Sequence, residues 1–364
     1  MNYEKSISSN PYRFKKSLPN QLTGNQNRHL NTLTGFVYGI IQSRQVKLAS
    51  VAGELPNMGK EESRVMQLRR LLSNPALDYN VYFMPMIMMI LMSLGDQPLV
   101  LMIDGSVSGR GCVTLMVSFL YRGRALPLVW VTRTGKKGHF PESMHVDLIK
   151  AVYELVPLGK EVICLGDGEF DGTDWLATLE QFGWHFVCRT AKDSLFYEEG
   201  EAFAIQDICP AKGDCTGIEN LQFTKACYGP VTGIAWWGRD YQEPIYLVSN
   251  FLLPEEACRW YRKRFRIETM FSDFKGRGFQ LQKSGLRDPA KVSRLLIAVA
   301  LAYIWVVYFG VYAMETGWHK IIHRTERCDL SLFELGKRLL KRFQTNEIPI
   351  PSFSFVDGVQ VLQD

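Results

Sequence analysis

The chain of 364 residues has eight cysteines but no Cys-x-x-Cys pair, and no histidine stands near them at a zinc-like spacing. A structural zinc site is thereby disfavoured. Cys209 and Cys215 are the closest pair, and Cys112, Cys164 and Cys188 lie in apolar runs and read as core thiols. The amino-terminal stretch "PYRFKKSLPNQ" is polar and lacks an apolar segment, which argues against a secretory leader and for a reducing cytoplasm. Long charge-free runs are also scarce. Only "LLIAVALAYIWVVYFGVYAM", Leu295 to Met314, has the length of a membrane span; "VYFMPMIMMILMSL" is too short and contains Pro85. The longer run carries several Ala and Tyr and follows a basic segment, so a buried helix is expected, with no stable membrane association.

A strong net charge is missing too, since the sum is +5. Its distribution is uneven. Arg259 to Arg294 hold eleven Lys/Arg against three Asp/Glu, and residues 1–90 hold eleven against five. Between Arg189 and Glu256 the balance reverses, five against eleven. Two basic regions flanking an acidic one fit a nucleic-acid binder better than a small-molecule enzyme.

The most basic stretch, "RWYRKRFRIETMFSDFKGRGFQLQ", surrounds one glutamate, Glu268. No Pro or Gly interrupts the segment between Pro254 and Gly276, so a single helix is expected. At about 100° per residue, Tyr261, Arg264, Glu268 and Lys275 share an arc of about 60°. Trp260, Ile267, Phe271 and Phe274 fall on the neighbouring arc, which would face a core. Arg262, Arg266 and Asp273 are expected to point to solvent. Two readings of Glu268 compete: a salt-bridged surface residue, or a metal ligand beside a polyanion that the cations grip.

Upstream, the pattern alternates between strand and helix. "QPLVLMIDGS" reads as an apolar strand ending at Asp104, and "CVTLMVSFLY" and "RALPLVWVTR" as a hairpin turning at Arg122-Gly123. "PESMHVDLIKAVYELV" reads as a helix and "EVICLGDGEFDG" as a strand ending at Asp167. A helix capped by Thr173 and closed by Gly183 precedes the strand "WHFVCRT". Asp104 and Asp167 thus end apolar strands, at the edge of an α/β sheet where active-site residues gather. Asp after a strand is also an ordinary turn residue. Three carboxylates converging there would repel one another without cations between them, and oxygen ligands suit Mg²⁺ or Mn²⁺.

These residues resemble the DDE transposases of bacterial insertion sequences, in the group marked by Tyr-x2-Arg-x3-Glu-x6-Lys. Tyr261, Arg264, Glu268 and Lys275 match that motif at every spacing, "MIDGS" resembles the first-aspartate motif, and "DGEFD" the second. The resemblance covers roughly residues 95–310. It implies an α/β fold with a ribonuclease-H-like core, a mostly β insertion and a helical N-terminal DNA-binding region. The expected organisation is a DNA-end-binding region over 1–95, core over 96–190, insertion over 191–252, core with the Glu helix over 253–325, and a basic helix and tail over 326–364. The resemblance further implies Asp104, Asp167 and Glu268 as catalytic ligands of two Mg²⁺ ions, with Mn²⁺ as a substitute. Tyr261, Arg264 and Lys275 would hold phosphates of double-stranded DNA at the element ends, and a homodimer would assemble the ends and target. Some members pass through a DNA hairpin with a flipped base; Trp236, Trp237 and Tyr246 are stacking candidates, and core packing explains them as well.

Other residues carry weaker signals. Arg266, Lys136, Lys137 and His139 are candidate phosphate contacts, the last three in the loop "TGKKGHFPES". Glu169 reads as an outer partner of the metal site or as a turn residue, and His145 as ordinary. Helical segments in residues 31–75 carry Arg44, Lys47, Arg64, Arg69 and Arg70, and "HRTERCDLSLFELGKRLLKRF" reads as an amphipathic basic helix. Three function classes follow: an active transposase, a domesticated or inactive copy that binds DNA without cutting it, and a membrane-associated protein built around Leu295 to Met314.

Overall fold

The computed structural model describes residues 22–56, 59–136, 140–324 and 326–351, so Lys137 and His139 lie outside the described residues. The chain opens with helices α1 (Gly24–Ser43), α2 (Leu48–Gly53), α3 (Glu61–Ser73), α4 (Tyr79–Tyr82) and α5 (Met84–Met92). A reciprocal pair starts α1: Thr23 Oγ accepts from Gln26 N–H, and Gln26 Oε1 accepts from Thr23 N–H. Arg64 donates to the Leu55 carbonyl and so holds the end of the α2 segment, whereas Arg44, Lys47, Arg69 and Arg70 are exposed.

Apolar runs bounded by turn residues become β1 (Leu99–Gly109), β2 (Cys112–Tyr121), β3 (Arg124–Thr134), β4 (Val162–Gly166) and β5 (His185–Thr190). The first three form an antiparallel meander, with Arg122 and Gly123 both at positive φ in the tight turn between β2 and β3. β4 and β5 run parallel to β1, reached through helices α6 (Glu142–Tyr153) and α7 (Thr173–Gln181). The resulting order is β3-β2-β1-β4-β5, an antiparallel meander continued by two parallel strands. β6 (Leu195–Glu198), β7 (Glu201–Ala204), β8 (Cys215–Phe223), β9 (Tyr228–Trp236) and β10 (Ile245–Ser249) extend the same sheet past β5 to ten strands.

Three local expectations are corrected. β1 does not stop at Asp104 but runs to Gly109, because it stays paired with β2 and a hydroxyl chain, Ser108–Thr114–Thr132 at 2.6 and 2.8 Å, ties three strands beyond the aspartate. Thr173 does not cap α7. Gly172 holds that position, and the Glu142 carboxylate of α6 accepts the Trp175 N–H at 3.0 Å instead. The segment from Pro254 to Gly276 is not one helix but two, α8 (Pro254–Tyr261) and α9 (Phe265–Phe274). Between them the backbone tightens to i→i+3 bonds, with Lys263, Arg264 and Arg266 N–H donating to Trp260, Tyr261 and Lys263.

The long apolar run belongs to α10 (Pro289–Glu315), capped by Asp288, whose carboxylate accepts from Ala290 N–H at 2.9 Å. Of its most apolar window, 83% is buried. α1, β3 and, after α11 (Trp318–Ile322), the amphipathic α12 (Leu332–Thr345) pack on it. α10 and α12 cross where Gly310 and Gly336 leave no room for a Cβ against the facing backbone. The run is therefore a core helix, as its composition implied.

Candidate active site

The register of β1 and β4 positions the first two carboxylates. Leu99 to Met102 pair in parallel with Val162 to Leu165. Continued two further steps, that register sets Asp104, within β1, opposite Asp167, the first residue past the end of β4. Gly166 makes the exit from β4 possible, since a Cβ there would lie 2.6 Å from that of Phe170. The turn that follows is held by Asp167 Oδ1, which accepts from Glu169 N–H at 3.0 Å.

Burial and then the charge of Asp167 push the Asp104 carboxyl up to about 7; Arg264 pulls it down, and Glu268 adds a smaller upward push. Asp104, Asp167, Arg264 and Glu268 thus sit in one electrostatic neighbourhood. Glu268 is held by Arg264, whose Nη2 donates to Glu268 Oε1 at 2.5 Å. The other terminal guanidinium nitrogen, Nη1, is buried and has no hydrogen-bond partner among the described residues. Its donor capacity is unused.

Tyr261 is buried, with the Arg264 guanidinium 5.7 Å from its ring centroid. Burial raises its phenol to about 12, while Arg264 and Arg189 act to lower it. Lys275 reaches β1 and donates to Ser106 Oγ at 2.6 Å. Ser106 follows Asp104 by two residues, and strand alternation puts both on one face. All four positions of the Tyr-Arg-Glu-Lys motif therefore gather around the Asp104–Asp167 edge, although the helix between the first two is broken.

The remaining sequence-predicted residues divide. Arg266 and Lys136 are exposed. Trp237 is half-buried and its indole N–H donates to the Tyr241 carbonyl at 3.1 Å. Trp236 is a core residue, edge-on to Tyr241 and covered by Arg262. Tyr246 instead lines a cavity of about 320 Å³ with Asp167, Arg189, Lys192 and Glu243. Glu169 accepts the Phe140 N–H at 2.5 Å and so ties the basic loop after β3 to the Asp167 turn. His145 is buried against Phe170, with Nε2 3.6 Å from Glu169.

Asp273 corrects the helical projection most sharply. Expected at the surface, it is buried at 4% exposure and paired with Arg124, which also donates to the Tyr303 hydroxyl. Residues that sequence reasoning missed are Ser106, Arg124, Arg189 and Lys192. Only Ser106 had a signal, its place on the Asp104 face of the strand.

The donors fit a hard divalent cation in kind, being carboxylate oxygens at a sheet edge. The set is not closed: among the described residues no three His, Cys, Asp or Glu side chains converge as ready metal ligands. Glu268 is engaged by Arg264 instead.

No curated protein matches the sequence. Among solved structures, the chain is similar to a piggyBac transposase in a synaptic complex with hairpin DNA, at 12% identity and a TM-score of 0.50, covering 100% of this chain and 84% of that one. That likeness concerns the fold, mixed α/β on a large sheet of ribonuclease-H-like type. A family model described as the transposase DDE domain matches residues 104–305. The match begins at Asp104, spans Asp167 and Glu268, and takes in more than half of the chain, which therefore belongs to the DDE transposase family.

Proposed function

We propose that the protein is a transposase of the Tyr-Arg-Glu-Lys group that binds the inverted ends of a bacterial insertion sequence, cleaves them and joins them to target DNA. The observation that supports this best is the β1–β4 register, which when continued sets Asp104 opposite Asp167, within electrostatic reach of the Arg264–Glu268 pair. Asp104, Asp167 and Glu268 would hold two Mg²⁺ ions, with Mn²⁺ as a substitute. Bound there, the ions supply Lewis acidity at the attacking and leaving oxygens of a phosphodiester.

The chain's own residues do the rest by position and charge. The unpartnered Nη1 of Arg264 offers a donor to a phosphate, and a two-point grip by the guanidinium would draw Arg264 off Glu268. Substrate binding thereby frees the third carboxylate. Lys275, steadied by Ser106, offers a point charge on the β1 side. Arg266, Lys136, Lys137 and the half-buried Trp237 are outer contacts to double-stranded DNA in this reading. A homodimer holds two ends, the helices of residues 24–92 read them, and the enzyme works in the cytoplasm. A DNA hairpin is a compatible route.

The test uses the purified chain and a duplex carrying the element end. Cleavage should need Mg²⁺ or Mn²⁺ and stop with excess chelator. Asp104→Asn, Asp167→Asn and Glu268→Gln should each lower single-turnover cleavage by at least about a hundredfold. End binding should persist, because phosphate contacts dominate affinity. A variant that cuts near the wild-type rate removes its residue from the site. Cleavage undiminished in chelator removes the metals.

A further inference from the structure

A pair of thiols outside the carboxylate site joins the β extension of the sheet to the helix that leads into the site. Cys215 opens β8 and Cys258 lies in α8, and their sulfurs are 2.8 Å apart. Neither is in a disulfide. Sequence spacing had singled out Cys209 as the nearest neighbour of Cys215, but Cys209 is exposed and lies apart from this contact. We propose that Cys215 and Cys258 are an oxidation site, closing to a disulfide that staples β8 to α8 when the protein meets a hydroperoxide.

The surroundings are built for a fixed approach. Gly217, on β8, sits against Pro254 at the start of α8, where a Cβ would come within 2.5 Å of Pro254 Cγ. Across the β8–β9 ladder Cys215 pairs with Trp236, and Arg262, just past α8, lies over that indole at 4.8 Å from its centroid. Both ends of α8 are thus seated on the strands that carry and face Cys215. The two sulfurs also differ. Cys215 is half-buried and reachable, and its thiol is lowered first by the hydrogen bond from Cys258. Cys258 is 4% exposed and its thiol is raised, first by that same contact and then by burial. The difference in access, Cys215 half-buried and Cys258 buried, singles out Cys215 as the attacking group.

The chemistry balances with the peroxide as oxidant. The Cys215 thiolate attacks one peroxide oxygen; an S–O bond forms, the O–O bond breaks, and the departing hydroxide or alkoxide takes up the proton the Cys215 thiol had released, leaving as water or an alcohol. The Cys258 sulfur then attacks the Cys215 sulfenic acid. An S–S bond forms, the S–O bond breaks, and the hydroxide departs as water with the Cys258 proton. Two thiols lose two electrons, and the peroxide gains them. The closed loop spans β9 and β10, so the cross-link should also restrict the unfolded chain.

The experiment treats the full reduced chain with hydrogen peroxide, alkylates remaining thiols and maps the peptides by mass. The expected product is a Cys215–Cys258 peptide pair, two hydrogens lighter than its parts and released by dithiothreitol. The oxidised chain should melt several degrees above the reduced one, and Cys215→Ser should abolish both the pair and the shift. Cys258→Ser should leave Cys215 as a sulfenic acid trapped by dimedone. Alkylation of both cysteines, a sulfinic acid on Cys215 without the cross-link, or an unchanged melting point would overturn the proposal. The readout is mass and melting, so it is independent of whether the chain cuts DNA.

Discussion

Glu268 and Asp273 lie on the same short helix, α9, and each meets an arginine, yet the two pairs are built for different ends. Asp273 and Arg124 are both almost fully buried, and the Tyr303 hydroxyl completes the guanidinium's partners. Arg124 opens β3 and Tyr303 belongs to α10, so this triad pins α9 to the sheet and the core helix at once. Glu268 is far more open, its side chain 40% exposed against 15% for Arg264, and one guanidinium nitrogen is left without a partner. A closed pair fixes a helix; an open one beside two aspartates can exchange partners.

The difference can be broken at its structural end first. Arg124→Ala would leave the Asp273 carboxylate buried and unpaired, and unfolding by denaturant should show a loss of about 3–5 kcal/mol. A loss under about 1 kcal/mol would mean that water reaches Asp273 and that the triad does not pin α9.

At the other end, Arg264→Ala should cost no more than about 1 kcal/mol of stability, because its partner is solvent-screened. Its single-turnover cleavage should nevertheless fall by more than about tenfold. Arg264→Lys keeps the charge and loses the planar fork, so cleavage should drop more than DNA affinity. Wild-type cleavage by Arg264→Ala would make the two pairs alike, both purely structural.

The smallest effect is in pH. Folding raises the Asp104 carboxyl from 3.8 to about 7, so the native state favours its protonated form. That contribution is present in full below about pH 4 and is lost as pH rises through about 7. In chelator, Asp104→Asn should therefore melt higher than wild type by about 2–4 °C at pH 8, with the gap shrinking toward pH 4. A gap that does not change with pH would show that neither burial nor the Asp167 charge raises the Asp104 carboxyl.

Much of this arrangement was legible in the residues. The strands β2 to β5 follow apolar runs ended by Gly, Asp or Arg-Gly signals, and the motif spacing led to the residues that gather at the edge. The break between α8 and α9 was not legible, because "YRKRF" contains no Gly or Pro to mark it; the i→i+3 tightening there leaves no residue-type signature. Asp273 was misplaced for a related reason. A helical projection sends a charged residue outward, and the arginine that makes burial tolerable lies far off in sequence, at the start of β3. Likewise Glu142 in place of Thr173 serves α7 from another helix, a contact that no local pattern encodes.

The burial of α10 carries a consequence for how the molecule can be taken apart. Arg294 donates to the Leu72 carbonyl at the end of α3, and Trp130 of β3 donates to Ser293 on the same helix. α1 and α12 cover further stretches of it. Removing residues ahead of Leu99 would leave apolar side chains of α10 facing water, at roughly 25 cal/mol for each Å² uncovered. The helices of residues 24–92 and the sheet should then melt together in one cooperative transition, and the shortened chain should aggregate. On the proposed reading, in which these helices read the element ends, recognition is a property to alter residue by residue, at the exposed Arg44, Lys47, Arg69 or Arg70, and not a module to detach.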